Sequence, residues 1–219
     1  MAHRLLALRD NVNALWKVDY QKIIREWERD ERIRLAPEQA EAVKASVDHG
    51  VFVLTGGPGT GKTTVVKGIL SVMEQAGCKI LLAAPTGRAA KRLSESAGKP
   101  ALTVHRLLEY TPNGEGDSFW GRNEDNPLEA DAVIVDEASM MDIVLMYNLL
   151  KALPLGCRLI LVGDVDQLPS VGPGSVLQDI IRSGTMPIVR LENVFRQAEL
   201  SPIVRNAHRI NQGPVSYTH

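Results

Sequence analysis

Residues 51–64, Val51-Phe-Val-Leu-Thr-Gly-Gly-Pro-Gly-Thr-Gly-Lys-Thr-Thr64, join an apolar run to a glycine-rich turn that ends on a lysine and threonines. Val51 to Leu54 is the kind of β-branched, apolar stretch that a parallel sheet buries on both faces. From Val65 onward, Val65, Val66, Ile69, Leu70 and Met73 recur at helical spacing. The turn therefore lies between a strand and a helix, and G-x-x-x-x-G-K-T in that setting reads as a phosphate-binding loop. Gly56, Gly57, Gly59 and Gly61 permit dihedrals and close approach that a side chain would block, so successive N–H groups can face an anion. The helix that follows presents its positive end to the same anion. Pro58, Thr60 and Thr64 complete the loop. Lys62 brings a flexible point charge to the β- and γ-phosphates of a nucleotide, and the Thr63 hydroxyl is placed to ligate Mg²⁺.

Ala132-Val-Ile-Val-Asp-Glu137 is the second strong signal, a buried strand that delivers two adjacent carboxylates to its carboxyl end. Asp136 can hold the water shell of Mg²⁺ opposite Thr63, and Glu137 can orient and deprotonate an attacking water. A helix from about Met140 to Leu153 is expected next; Arg158 to Val162 is a further strand, and Gln167 emerges just past it, where a neutral amide can bond a γ-phosphate and report its loss. Ile188 to Leu191 is a last strand before Asn193-Val-Phe-Arg-Gln197; Arg196 fits an arginine finger or a surface residue. Ahead of the loop, Leu35 to Val43 reads as a helix with Pro37 in its first turn. Gln39 within it offers the donor and acceptor that an adenine edge requires, although on spacing alone it reads as a surface glutamine.

Lys79 to Ala84 is another buried strand, and Pro85-Thr-Gly-Arg-Ala-Ala-Lys-Arg92 opens a helix after it. Thr86, Gly87 and Arg88, with Lys91 and Arg92, put cations beside the carboxyl edge, as a nucleic-acid phosphate track or as a solvated helix face. Thr103 N-caps a short helix that carries His105. Residues 110–127 read as a long polar loop with Phe119 and Trp120 in its middle, able to stack on a base or to anchor the loop to the core. Residues 4–31 have the pattern of a helical arm that packs on the core or ends a preceding domain, and residues 203–210 read as a final helix.

Net charge is −1, so contact with nucleic acid would have to come from a local basic patch and not from the overall field. Cys78 and Cys157 lie far apart without C-x-x-C spacing, which argues against a zinc site or disulfide framework and suits a reduced, cytoplasmic setting. No stretch approaches the ~20 apolar residues of a membrane span, so no membrane partner is expected.

Taken in order, the glutamine helix, Gly56 to Thr63, Pro85 to Ala90, Thr103 to Leu108, Asp136-Glu137-Ala-Ser, Gly163-Asp-Val-Asp-Gln-Leu-Pro-Ser-Val-Gly172 and Phe195-Arg-Gln197 resemble the superfamily 1 helicases of the RecD/TraA type. That family includes the alpha subunit of exodeoxyribonuclease V. The resemblance covers about Leu35 to Gly213 and implies an α/β fold, a RecA-like P-loop NTPase domain with a mainly parallel sheet flanked by helices. It divides the chain into a helical arm at 1–34, the first of two motor domains at 35–213 and a tail at 214–219. It implies Gln39 as adenine reader, Lys62 and Thr63 as the Walker A pair, Asp136 and Glu137 as the Walker B pair, Gln167 as γ-phosphate sensor and Arg196 as γ-phosphate contact. It puts Thr86, Gly87, Arg88, Thr103 and His105 where the family contacts single-stranded DNA. ATP and Mg²⁺, movement 5′ to 3′ along a strand and other subunits of a recombination nuclease complex follow from the same resemblance. Because such helicases close two domains on ATP and this sequence stops after the first, it reads as a fragment or a truncated relative. It is then expected to bind ATP, hydrolyse it weakly and not unwind processively.

Two other readings stay open on the residues alone, a P-loop kinase or phosphotransferase and a non-enzymatic nucleotide-binding module. The spatial expectation is sharper. Lys62, Asp136, Gln167 and Arg196, which stand at the ends of four distant segments, should meet at one rim of a parallel sheet.

Overall fold

Alternation along the central strands fixes how the chain wraps. In Val51–Gly56 (β1), Val51 and Val53 enter one core while Phe52 and Leu54 enter another. Arg158–Gly163 (β7) repeats the pattern with Leu159 and Leu161 against Ile160 and Val162, and Ala132–Val135 (β6) with Val133 and Val135 against Ala132 and Ile134. Strands buried on both faces need helices on both faces, which is the parallel doubly wound arrangement. This computed structural model describes residues 1–11, 19–112, 118–167 and 170–193.

With Ile80–Ala84 (β2), Ala101–Thr103 (β3) and Ile188–Leu191 (β8), these strands form one six-stranded sheet in the order β3-β2-β6-β7-β1-β8, parallel at every pairing. The register sets Thr55 beside Gly163, Val135 beside Leu161 and Ala83, and Ala84 beside Thr103. All these strand ends therefore open onto one edge. Pro37–Asp48 (α3) and Lys62–Gln75 (α4) cover one face; Ile143–Ala152 (α7) and Val176–Ser183 (α8) cover the other. Gly87–Ala97 (α5) leans on the first face through Leu93.

The N-terminal arm is divided between the faces. Ala2–Asp10 (α1) buries Leu5 and Leu8 with α7 and α8, whereas Tyr20–Glu31 (α2) buries Ile23 and Ile24 with α3 and α4. Arg158 is buried at the start of β7, and its guanidinium donates to Val47 O in the last turn of α3 (3.0 and 3.4 Å), which holds that helix on the sheet.

Two local expectations need correction. The 110–127 stretch contains a hairpin, with Tyr110–Pro112 (β4) and Ser118–Trp120 (β5) paired antiparallel. Strands of three residues are too short to display alternation. The helix expected from Met140 begins later, after a 3₁₀ turn at Ala138–Met140, because the Asp142 side chain accepts the Leu145 N–H and starts α7 there. Val104–Leu107 (α6) forms where expected, capped by Thr103. The final helix expected at 203–210, and Arg196, lie outside the described residues.

Candidate functional site

β1 runs into the glycine loop, and the loop turns directly into α4 with Gly61 as its N-cap. Gly59 (φ 78°) and Gly61 (φ 87°) occupy the left-handed region, where a Cβ is strained. At Gly56 the obstacle is space, since a Cβ would come within 2.8 Å of both Leu191 O and Thr60 Oγ1. The loop is tied internally. Buried Thr60 donates to Gly57 O (2.8 Å), and Lys62 Nζ donates to Gly56 O (2.5 Å) and Gly57 O (2.9 Å). Pro58, Gly59 and Thr63 are exposed along the rim, with Gly57 and Thr64 half-buried behind them.

Gln39 is buried, not on the surface as its spacing allowed. Its Oε1 accepts Ala36 N–H (3.0 Å) at the start of α3, and its Nε2 donates to Thr60 O (3.3 Å). Both ends of the amide therefore join the helix start to the glycine loop.

Asp136 and Glu137 follow β6 at the same edge. Asp136 accepts the Glu137 N–H through Oδ1 (2.9 Å), and burial pushes its carboxyl above the usual carboxylate range. Lys62 moves the opposite way: burial lowers its pKa, against the opposing charges of Asp164, Asp136 and Glu137. These groups therefore share one electrostatic site. A half-buried carboxylate that acts on Lys62, the residue next to the exposed Thr63, suits a hard divalent cation. Among the described residues no group of three or more His, Cys, Asp and Glu could hold a metal ion, so a cation here would be shared with phosphate and water.

Glu137 takes a left-handed backbone (φ 53°, ψ 39°), a costly conformation for a non-glycine residue. Its Oε1 accepts a charge-assisted bond from Arg92 Nη2 of α5 (2.9 Å).

Beyond β7, Asp164 is the residue that sequence reading missed. It is buried, accepts Asp166 N–H through Oδ1 (3.0 Å), and its Oδ2 lies 3.4 Å from Gln167 Nε2. It is also the carboxylate that most opposes the fall in the Lys62 pKa. The legible signal was an aspartate two and three residues ahead of its partners, immediately after a strand, as an Asx turn requires. Gln167 and Ser139, whose buried Oγ has no hydrogen-bond partner among the described residues, line a cavity of about 10 Å³ with Gln178. That is room for about one water.

The remaining candidates sit at the other end of the edge. Thr86 caps α5 by accepting Ala89 N–H (3.2 Å), with Gly87 and Arg88 exposed beside it. Thr103 caps α6 by accepting Arg106 N–H (3.2 Å), and its register partner is Ala84. His105 stacks on Trp120 (5.8 Å between centroids, 25°) and meets the edge of Tyr110 (5.2 Å, 74°). Trp120 also packs on the core, so it anchors the hairpin, while Phe119 is exposed. The structure thus brings Lys62, Asp136 and Gln167 to one edge, with Glu137 and Asp164, and sets Thr86, Gly87, Arg88, Thr103 and His105 further along it.

A family model described as an AAA domain matches residues 39–173, from the buried glutamine past the Gln167 turn. The chain belongs to this AAA-domain family. Its relatives include RecD-type helicases. Over 179 residues it is 45% identical to the ATP-dependent RecD2 DNA helicase of Deinococcus radiodurans, covering 82% of this chain and 24% of that one. Over 186 residues it is 40% identical to the RecBCD enzyme subunit RecD of Mycolicibacterium smegmatis, covering 74% and 33%. The chain thus spans about a quarter to a third of the length of these curated relatives. In architecture it is similar to the Pif1 helicase from Candida albicans, with a TM-score of 0.63 at 24% identity over 84% of this chain and 45% of that one. As an AAA domain with this loop, the chain binds nucleotide.

Proposed function

We propose that this AAA domain is the ATP-binding and hydrolysing motor part of a 5′-to-3′ DNA helicase that acts in recombination and repair. What supports the reading is one observation: a glycine loop with Lys62, a carboxylate pair and a glutamine turn stand together at the carboxyl ends of adjacent parallel strands. The sequence similarity to RecD-type helicases supplies the direction in which that chemistry is used.

In this reading the loop amides from Gly57 to Gly61 and the start of α4 hold the phosphates, and Lys62 exchanges its carbonyl partners for the β- and γ-phosphate oxygens. Gln39 keeps the loop in register with α3 and stands toward the adenine. Thr63 and Asp136 would hold Mg²⁺, which neutralises charge on the phosphates when bound. Glu137 orients the attacking water and takes its proton. Gln167, held by Asp164, reports whether the γ-phosphate is present, and Arg196 contacts that phosphate. Single-stranded DNA runs along the outer half of the edge past Thr86, Gly87, Arg88, Thr103 and His105. We further infer a cytoplasmic protein whose partners include DNA and other subunits of a recombination nuclease.

Phosphate release measured with and without single-stranded DNA, for the parent and Lys62→Ala, tests this. Stimulation by DNA that disappears in Lys62→Ala is expected. A DNA-independent rate that requires a small acceptor would favour a phosphotransferase instead, and absence of turnover a binding module.

A further inference from the structure

Glu137 and Arg92 follow neighbouring strands at the sheet edge. Glu137 follows β6, whereas Arg92 lies on α5, the helix that leaves β2 and opens with Thr86, Gly87 and Arg88. Their contact is direct, with Arg92 Nη2 2.9 Å from Glu137 Oε1. It is also weakly protected, since the arginine side chain is 62% exposed and the glutamate 20%. A solvent-exposed ion pair changes an equilibrium by at most about 5-fold. Arg92 is not needed to seat its helix, which buries Ala89, Ala90 and Leu93. It shares the outward stripe of α5 with Arg88 one turn back, an exposed guanidinium with no ion-pair partner among the described residues.

A phosphodiester offers a guanidinium the same charged, planar recognition that a carboxylate does, and one guanidinium fork cannot satisfy both fully. While Arg92 holds Oε1, the Glu137 carboxylate is drawn toward α5, with one oxygen engaged. The left-handed backbone at Glu137 marks the pivot, because a strained conformation persists only where its surroundings hold it.

We propose that Arg92 is a latch on Glu137 which a phosphate of a bound single strand opens, so that binding of nucleic acid at α5 frees the carboxylate that orients water. The latch rests on the motor reading above and adds to it the residue that couples the two ends of the edge. Arg92 is a positioning residue in this scheme, since it acts through Glu137. Binding and release are reciprocal, so whatever weakens the ion pair while keeping Arg92 must strengthen the grip on the strand.

That reciprocity can be read without hydrolysis. Anisotropy of a labelled oligothymidylate, titrated with the 219-residue chain, would be compared in the parent and in Arg92→Ala, each with and without Glu137→Gln. Glu137→Gln is expected to tighten binding by about 2- to 5-fold in the parent and not at all in Arg92→Ala. Lys99→Ala, which removes a cation paired instead with Glu74, should leave the full effect of Glu137→Gln in place. If Arg92→Ala lowers Tm, Arg92→Gln replaces it in the same cycle. The companion readout is that Arg92→Ala raises DNA-free phosphate release and shrinks the stimulation by DNA. Equal tightening in both backgrounds, or none in the parent, overturns the latch and leaves the motor reading standing. A parent that binds ATP but no oligonucleotide overturns the motor reading itself, and the latch with it.

Discussion

The glycine-loop end of the sheet edge and the α5 end are built on opposite plans. Around Lys62 most polar groups are buried or half-buried and tied to one another: Thr60 to Gly57, Lys62 to Gly56 and Gly57, Gln39 to Ala36 and Thr60. At α5 the cations face water, and among the described residues the one ion pair from that helix to Asp136 or Glu137 is the exposed Arg92–Glu137 pair. A buried polar group must find a partner or cost stability, so the loop has a single arrangement ready for phosphate. An exposed pair can be exchanged for another anion at little cost. The difference teaches where the molecule is preorganised and where it can respond.

The comparison can be broken most decisively at the carboxylates. Glu137→Gln should lower phosphate release by about 10²–10⁴-fold with ATP affinity kept, because it removes the proposed base and leaves the loop intact. Equal loss of ATP binding, measured by calorimetry, would show that the two ends are not separable. Lys62→Ala should lower turnover by about 10²–10³-fold and weaken ATP binding as well, since it removes a charge aimed at the phosphates. Asp164→Ala is expected to reduce turnover by about 10-fold, as supporting groups around a reactive centre commonly do, with partial recovery in Asp164→Asn. An unchanged rate there would remove Asp164 from the site.

Two stability measurements sharpen the contrast. Gly61→Ala forces a Cβ into φ 87° and should cost about 1–2 kcal/mol, a fall in Tm of about 2–8 °C by thermal denaturation. Asp136→Asn should move Tm the other way, upward by about 2 °C near neutral pH, while abolishing turnover. The sign follows from linkage. Burial raises the folded-state pKa of Asp136, so its contribution to stability is present below the unfolded value and is lost as pH rises through the folded value. The charged carboxylate therefore costs stability at neutral pH, asparagine avoids that cost, and the gain should vanish in acid.

Much of this architecture was legible because it depends on short-range pattern. The apolar runs at 51–54, 132–135 and 158–162 are strands buried on both faces, and Pro37, Thr86 and Thr103 mark helix starts by their own chemistry. The hairpin at Tyr110–Pro112 and Ser118–Trp120 was not legible, because three-residue strands carry no period and gain their stability from the His105–Trp120–Tyr110 ring cluster. Nor was Asp164, whose importance lies in its nearness to Lys62, a residue from another strand's loop.

By itself the sequence determined the local chemistry of the chain: a loop that only glycines can turn, a lysine at the head of a helix, carboxylates at a strand end. Backbone dihedrals and hydrophobic period are properties of neighbours, so they can be read in order along the chain. Only the tertiary structure decided which of those groups meet. The parallel register aligns β1, β6 and β7 so that their ends share one edge, divides the N-terminal arm between two faces, buries Gln39 against the loop, and sets Arg92 on Glu137. Those contacts depend on packing between segments far apart in sequence, which no local pattern encodes.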